Sequence, residues 1–483
     1  MRLRIIARFL ALLTVLVSVS MVFPLAWALH DGTRDSHAII ASIGVGLLTS
    51  SALFVAGRGA RPQDMGAREA FAAVTLAWIF SSLLGAMPYM LGGYIPSFTD
   101  AYFEAMSGFT TTGSTIMTDI EACPRGILMW RSQTQWLGGM GIVVLTIALL
   151  PMSGVTMTQL FRAESPGPVL EKISPRIQDM SKMLWQVYMG LTIFGIALLM
   201  CGGMNLFESI CHIFTAVSTG GFSPKNASVG AYASAWHDWS LTLVMFLSGA
   251  NFSLHLLAVR NRSLRPYKDP EFLFYTGIVI FSTALITIFI YVQGYFSTIL
   301  TALRFAAFQV VTVITTTGYA TTDYALWPPA TQMVLLLLMV IGGCAGSTAG
   351  AAKCIRIEVA WKRVVSEIRH CIHPNAVIPI RIGDKTVEHD TAAAAATFVF
   401  LYVLIWFVSS LAVSATGQDI VTSISAVAAT LGNVGPGLGA VGPTCNFASQ
   451  HVFAKWVYTF CMLCGRLELY TVLVLFTRDA WKR

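Results

Sequence analysis

Hydrophobic runs of about 20 residues recur along this whole chain, divided in a repeating order by short polar or glycine-rich interruptions. As a helix, a run of that length rises about 30 Å, enough to cross a hydrocarbon core. Two such helices come first, over 5–29 and 37–57. Four units of one design follow: an outer span, a shorter apolar segment, a Thr/Ser/Gly stretch ending in glycine, and a closing span. The outer spans are predicted at 70–92, 183–203, 271–293 and 391–416, and the short segments at 98–110, 205–217, 299–314 and 418–430. The closing spans are predicted at 128–152, 236–259, 330–366 and 450–477. The short segments reach only half-way across, so each is expected to enter, stop near the middle and return as an irregular strand. Such backbone survives at depth only where it is buried in protein or lines water. The pattern predicts an all-α polytopic membrane protein with ten full spans and four re-entrant segments: two N-terminal helices plus four pseudo-fourfold helix–pore loop–helix repeats. Its units are residues 1–69, the N-terminal pair, and then the repeats 70–160, 161–262, 263–370 and 371–483.

The four glycine stretches are Thr110-Thr111-Thr112-Gly113, Val217-Ser218-Thr219-Gly220, Thr315-Thr316-Thr317-Gly318 and Gly432-Asn433-Val434-Gly435, their glycines 107, 98 and 117 residues apart. A repeat this long with the same punctuation is architecture. Four copies of one carbonyl-rich loop can surround an axis, and a ring of backbone carbonyls replaces the water around a cation. Glycine reaches φ > 0 without steric cost, so successive carbonyls can share a direction. Each short helix aims its partly negative C-terminus at the centre, which favours a cation by about 0.3–2 kcal/mol. The four stretches contain no Lys or Arg, which argues against an anion pore, and no Asp or Glu, which argues against a carboxylate-built divalent site. A monovalent, dehydrated cation held by neutral oxygens is what remains.

Composition agrees with the membrane reading: 55% of the 483 residues are hydrophobic and 11% charged, against about a quarter charged in soluble domains. The net charge of +7 does not point to nucleic acid, because 24 of the 31 basic residues cluster in six segments: Arg2–Arg8, Arg58–Arg68, Arg162–Lys182, Arg260–Lys268, Lys353–Lys385 and Arg478–Arg483. This asymmetry follows the positive-inside rule and predicts both termini in the cytoplasm. Arg2–Arg8, the run from Phe9 and Ala26-Trp27-Ala28 resemble a signal peptide; the run is too long for one and a second span follows directly, so it is read as a retained helix. Nine scattered cysteines form no disulfide framework. Cys461 and Cys464 read as small buried hydrophobes, and His370, Cys371 and His373 lack a fourth ligand nearby. No HExxH, GxSxG or paired-carboxylate motif supports an enzyme, and no GxGxxG or Walker-type loop supports nucleotide binding by this chain itself.

In this order and at these spacings, TTTGS, STGGFS, TTTGYAT and GNVGPG resemble the filter loops of the Trk/Ktr/HKT superfamily of potassium transporters, specifically the membrane subunits of bacterial Trk potassium-uptake systems. The resemblance covers essentially the whole chain, including the two extra N-terminal helices. It implies a potassium-channel-like fold joined into one chain, K⁺ as the transported ion, and a multi-pass location in a bacterial cell inner membrane. It places the K⁺ filter at Thr111, Thr112 and Gly113; Ser218, Thr219 and Gly220; Thr316, Thr317 and Gly318; and Asn433, Val434 and Gly435. It also implies a homodimer and a cytoplasmic, TrkA-like regulatory subunit that binds NAD(H) and adenine nucleotides. The basic segments 162–182, 260–268 and 353–385 serve either its docking or lipid headgroup contact. A potassium channel carries TVGYG four times; here Ser114, Gly221, Tyr319 and Pro436 follow the shared glycine, which predicts a shorter, less symmetric cage and weaker discrimination among K⁺, Rb⁺ and Na⁺. No chain of intramembrane acids marks a proton relay. A Ktr-like sodium-dependent transporter is the nearest alternative, disfavoured by the extra helices; a carrier for another small solute would show two related halves rather than four units.

Two features suggest control of flux. Within Gly342-Gly343-Cys344-Ala345-Gly346-Ser347-Thr348-Ala349-Gly350, the glycines 342, 346 and 350 are four apart, as in a helix-packing stripe. Yet five consecutive small residues, Gly346 to Gly350, weaken a helix, and the resemblance places an obstructing intramembrane loop here, so a gate over Gly342, Gly343, Gly346, Ser347, Thr348 and Gly350 is expected. Arg466 stands at the midpoint of the apolar run Trp456–Phe476, where a charge costs at least about 2.5–3.5 kcal/mol. Glu468, two residues on, projects from another face. Arg466 is either half of a buried structural ion pair or a cation beside the permeation path; the resemblance, which has an arginine at the matching place, supports the second. Glu104 and Glu208 lie 9 and 12 residues before their glycines, leaving both bracing of the filter and ion attraction at the outer mouth open.

Overall fold

Ser97, Asn205, Thr298 and Asp419 each precede a short apolar helix and accept a hydrogen bond from a backbone N–H of its first turn. Such side chains satisfy donors that a helix start otherwise leaves unpaired, so four polar residues fix where the four short helices begin. The computed structural model describes residues 2–60, 65–141, 177–376 and 378–481. Its N-terminal unit is α1 (Leu3–Ser20), α2 (Val22–Asp31), which continues α1, and α3 (Asp35–Ala56). Repeat one comprises α4 (Ala67–Leu91), α5 (Phe98–Phe109) and α6 (Arg125–Gly139). Repeat two comprises α7 (Ile177–Cys201), α8 (Leu206–Val217), α9 (Ala235–Ser248) and α10 (Phe252–Asn261). Repeat three comprises α11 (Pro270–Val292), α12 (Ile299–Ile314), α13 (Pro329–Ile341) and α14 (Cys354–Ile372). A small antiparallel hairpin follows, β1 (Arg381–Ile382) and β2 (Lys385–Thr386), with Arg381 opposite Thr386. Repeat four comprises α15 (His389–Ser414), α16 (Ile420–Leu431), α17 (Val452–Arg466) and α18 (Glu468–Leu473).

The packing is cyclic. Each short helix lies between the closing helix of its own repeat and that of the preceding one: α5 on α6 and α17, α8 on α9 and α6, α12 on α13 and α9, α16 on α17 and α13. Repeat four therefore closes onto repeat one, and all four short helices converge on one axis. The long helices α3, α7, α11 and α15 keep many apolar side chains exposed, among them Leu48, Ile193, Phe281 and Phe407. Outward apolar surface of this kind belongs against lipid, and the chain is a multi-pass membrane protein.

The second and fourth closing spans differ from the continuous helices expected, whereas the third is interrupted where the small-residue loop was expected. Among the described residues six helices are long and apolar enough to cross a membrane, or eight when each of two bent pairs counts as one span. The α9–α10 pair bends by 95° and the α17–α18 pair by 112°, while residues 342–353 separate α13 from α14. The first closing helix stops at Gly139, and the remainder of its expected span, with most of the basic segment that follows, lies outside the described residues. The breaks contain no proline. In the second and third spans the freed backbone groups pair with each other: Cys344 N–H donates to the Gly249 carbonyl at 2.9 Å, and Phe252 N–H to the Gly346 carbonyl at 3.0 Å. A break in the second closing span is thus sewn to the break in the third.

Candidate functional site

All four short helices end the same way. Thr111, Thr219, Thr316 and Asn433 adopt φ of 52°, 56°, 58° and 54°, the left-handed conformation. The N–H of each residue and of the next turn back into the helix, as in Thr111 to the Gly108 carbonyl and Thr112 to Ser107. This is the Schellman helix ending, usually made by glycine. A β-branched threonine there is a rare outlier, and such strain, of order 1–3 kcal/mol each, concentrates at functional positions.

These residues set the register of the four strands. Three positions after the last helical residue plus one stands a second positive-φ residue, always glycine: Gly113 (84°), Gly221 (76°), Gly318 (83°) and Gly435 (110°). In repeat two the glycine equivalent to the others is Gly221, so Ser218, Thr219 and Gly220 match Thr110, Thr111 and Thr112. The second strand runs one residue later than its sequence suggested, and Phe222, not Gly221, follows its shared glycine. Two adjacent glycines in STGGFS conceal this choice; the hydrogen bonds from Thr219 to Ala216 and from Gly220 to Thr215 decide it.

The strands touch in a closed circle. A Cβ on Gly113 would overlap the Gly220 carbonyl, one on Gly221 the Thr317 carbonyl, one on Gly318 the Val434 carbonyl, and one on Gly435 would meet the Thr112 carbonyl. Only glycine permits this approach at the four ring positions. Among the described residues no backbone or side-chain donor reaches the carbonyls of Thr112, Gly113, Gly221, Thr317, Gly318 or Val434. Carbonyls inside a fold are nearly always paired; here six in one ring have no protein partner among the described residues.

Side chains behind the strands hold their shape. Seven residues before the left-handed positions stand Glu104, His212, Gln309 and Ala426. Glu104 is fully buried and accepts from Thr115 Oγ1 at 2.9 Å, Ile116 N–H at 2.9 Å and Arg131 Nε at 2.7 Å. His212 Nε2 lies 3.1 Å from Ser223 Oγ, and Gln309 Nε2 donates to Thr321 Oγ1 at 3.2 Å. Gln135 bridges repeats, donating to the Gly220 carbonyl at 2.7 Å and accepting from Phe222 N–H at 3.0 Å. Asn433 Nδ2 joins the last repeat to the first through Thr112 Oγ1 at 2.9 Å. Glu104 is thus a brace by geometry, whereas Glu208 belongs to the first turn of α8 and pairs with Lys225 at 3.2 Å. Gln135, Arg131, His212 and Gln309 were not singled out from the sequence, and Gly221 was placed one position past the ring; a search for polar residues at a fixed offset from each stretch would have found His212 and Gln309, but not the cross-repeat partners.

Residues 342–353 form an irregular segment rather than the helix stripe that glycine spacing alone allows. It lies against the ends of the short helices. Thr348 Oγ1 donates to the Val217 carbonyl of repeat two at 3.0 Å, and Gly350 N–H donates to Thr316 Oγ1 of repeat three at 2.8 Å. A Cβ on Gly350 would meet the Gly432 carbonyl and Asn433 of repeat four. Repeat one is reached through Arg466, whose Nη1 donates to Thr111 Oγ1 at 3.1 Å and to the Thr348 carbonyl at 2.8 Å. Its Nη2 donates to the Gly138 and Gly139 carbonyls, each at 2.7 Å. The segment and Arg466 together therefore contact all four repeats at one end of the ring. Glu468 turns away to Lys353, at 3.0 Å, and Arg356, while Glu271 accepts from Ala345 N–H at 2.6 Å.

A cyclic four-repeat fold with these loops invites comparison with known transporters. The family model of the TrkH cation transport proteins matches residues 37–482. The chain belongs to the TrkH family. It is 39% identical over 490 residues to the Trk system potassium uptake protein TrkH of Halomonas elongata, with all of both chains covered. It is 32% identical over 491 residues to TrkG of Escherichia coli K12, covering 99% of each chain. Its fold matches the crystal structure of the potassium transporter TrkH from Vibrio parahaemolyticus with a TM-score of 0.90 at 34% identity, over the full length of both. The two N-terminal helices and all four repeats of this TrkH-family chain therefore lie within the likeness.

Proposed function

We propose that this chain is the potassium-conducting subunit of a Trk-type uptake system, with the four-strand ring as its filter and residues 342–353 with Arg466 as its gate. The observation that carries this reading is the closed ring itself: four glycines in contact with the neighbouring strand's carbonyls, and six ring carbonyls without a protein partner among the described residues. A dehydrated monovalent cation satisfies such oxygens, and nothing in the ring supplies charge to hold a divalent one. The names of the relatives, potassium uptake proteins of a Trk system, support K⁺ as that cation.

In this reading K⁺ enters from outside, sheds water at the ring and reaches the side where the short helices end. There Arg466 and the 342–353 segment stand across its way, the arginine by charge and the segment by bulk. An inside-negative potential contributes about 2.3 kcal/mol per charge per 100 mV to entry. Conduction requires the segment to withdraw from Val217, Thr316 and Gly432, and Arg466 moves with it through Thr348. The chain continues from this segment directly into α14, whose Arg363 and Arg369 belong to the basic, cytoplasmic side by the positive-inside rule. That continuity suits control by a cytoplasmic TrkA-like nucleotide-binding subunit acting on a homodimer, in a bacterial inner membrane with both termini inside. The uneven strands, with Ser114, Phe222, Tyr319 and Pro436 after the four glycines, suit modest selectivity for K⁺ over Na⁺. The test is ion flux through purified protein in liposomes, with K⁺ or Na⁺ outside and with or without a pH gradient. Saturable uptake of an organic solute without K⁺ flux would refute the proposal.

A further inference from the structure

We infer that the buried Glu104–Arg131 pair, though no part of the ring, sets how well the ring separates K⁺ from Na⁺, because it locks strands one and two together beyond their glycines. The inference rests on the filter reading above. Arg131 Nε meets Glu104 at 2.7 Å with side-chain exposures of 3% and 0%. Glu104 grips the strand of repeat one at Thr115 and Ile116. Arg131 grips that of repeat two, donating from Nη1 to the Ser223 carbonyl at 2.9 Å with its guanidinium 3.6 Å from the Phe222 ring centre. One ion pair thus spans the seam between two strands.

Among the described residues no ion pair bridges the strands at the other three seams: the pairs Arg304–Asp238 and Lys455–Asp100 join neighbouring repeats helix to helix, and Asp323 accepts from the Thr444 hydroxyl. Tyr319 hydroxyl donates to the His212 carbonyl at 2.7 Å between repeats two and three, and Tyr324 hydroxyl to the Gly437 carbonyl at 3.3 Å between three and four. Ser114 Oγ donates to the Gly435 carbonyl at 2.9 Å between four and one. Bracing one strand alone needs no charge, since Gln309 does so in repeat three. Two charges buried without water are expensive, and what they add is stiffness, because charge-assisted bonds are shorter and stronger than neutral ones. Only the planar guanidinium reaches carboxylate, carbonyl and ring together; a lysine in its place is a point charge. A cage of carbonyls distinguishes two cations of one charge only as far as its width is held.

Na⁺ and K⁺ flux ratios in proteoliposomes test this, with Glu104→Gln and Arg131→Lys proteins shown monodisperse by gel filtration. Sodium flux relative to potassium should rise roughly tenfold, the equivalent of one lost charge-assisted bond. Should Glu104→Gln not fold, Arg131→Lys, which keeps a cation beside Glu104 but loses the fork to Ser223, carries the test. A wild-type ratio in a folded variant, alongside a changed ratio in Gly113→Ala, overturns this inference and leaves the filter reading standing. Absence of K⁺ flux in the wild-type protein overturns both.

Discussion

Arg466 and Thr348 are joined by a 2.8 Å hydrogen bond from the guanidinium to a backbone carbonyl, and the same Nη1 reaches Thr111 Oγ1 at 3.1 Å. A cation placed at the midpoint of an apolar run is thereby neither free nor ion-paired with its neighbour in sequence: Glu468 takes Lys353 and Arg356 instead. Its Nη1 and Nη2 donate to neutral oxygens on three different elements, so its position reports the position of the irregular segment.

Arg466→Ala should therefore raise basal K⁺ flux. Hydrogen bonds to charged groups contribute about 1.5–3 kcal/mol each, and losing even one net bond from the closed state shifts its population roughly tenfold. Flux in proteoliposomes without any regulatory partner checks this. Folded Arg466→Ala protein with wild-type flux would count against a gating role.

Thr348→Val removes the hydroxyl that bonds the Val217 and Ser248 carbonyls and keeps the carbonyl that holds Arg466. Neutral bonds contribute about 0.5–1.5 kcal/mol each, so the expected leak is smaller than for Arg466→Ala. Because both residues hold the same segment, the double variant should leak less than the product of the two single effects predicts. Independent effects would mean they act on separate barriers.

Gly342 begins the segment at φ 77°, ψ −173°, and a Cβ there would stand 2.7 Å from both the Ala351 methyl and the Gly350 carbonyl. Gly342→Ala should cost about 1–3 kcal/mol of backbone strain, lower the thermal midpoint and increase leak together. Unchanged melting would show that the turn relaxes without the segment moving.

The register of repeat two makes a sharp prediction. Gly221→Ala forces a Cβ onto the Thr317 carbonyl, a backbone atom of the next strand, and should abolish K⁺ flux or its selectivity. Gly220→Ala meets first the side chain of Gln135 rather than backbone; shifting it loosens the bonds to Gly220 and Phe222 but leaves the ring contact intact, and the effect should be milder. The reverse order, measured as flux ratios in liposomes, would restore the register suggested by sequence.

Much of this was legible in the chain because lipid imposes long, uniform spans and leaves loops as interruptions. The four short helices are bounded by their capping residues Ser97, Asn205, Thr298 and Asp419 to within a residue or two of their predicted limits. The breaks in the second and fourth closing spans were not legible, because Gly249–Asn251 and Leu467 contain no proline; the contacts made there are with residues about 100 positions away, Cys344 N–H to the Gly249 carbonyl, and Arg466 and Glu468 to Thr348 and Lys353. The register of repeat two was hidden by its double glycine. Glu104 was visible as an acid in a short helix, but its role depends on Arg131, on the next helix, and through it on Ser223 in another repeat.

The central claim is that the four strands form one cation-conducting ring. Its most direct test is K⁺ and Na⁺ flux through purified protein in liposomes under an inside-negative potential, for wild type and for Gly113→Ala, Gly221→Ala, Gly318→Ala and Gly435→Ala. K⁺ flux that exceeds Na⁺ flux in the wild type, with flux or selectivity lost at all four positions, is the predicted result. Potassium flux of wild-type selectivity in any of these variants, once shown to be folded, would contradict it.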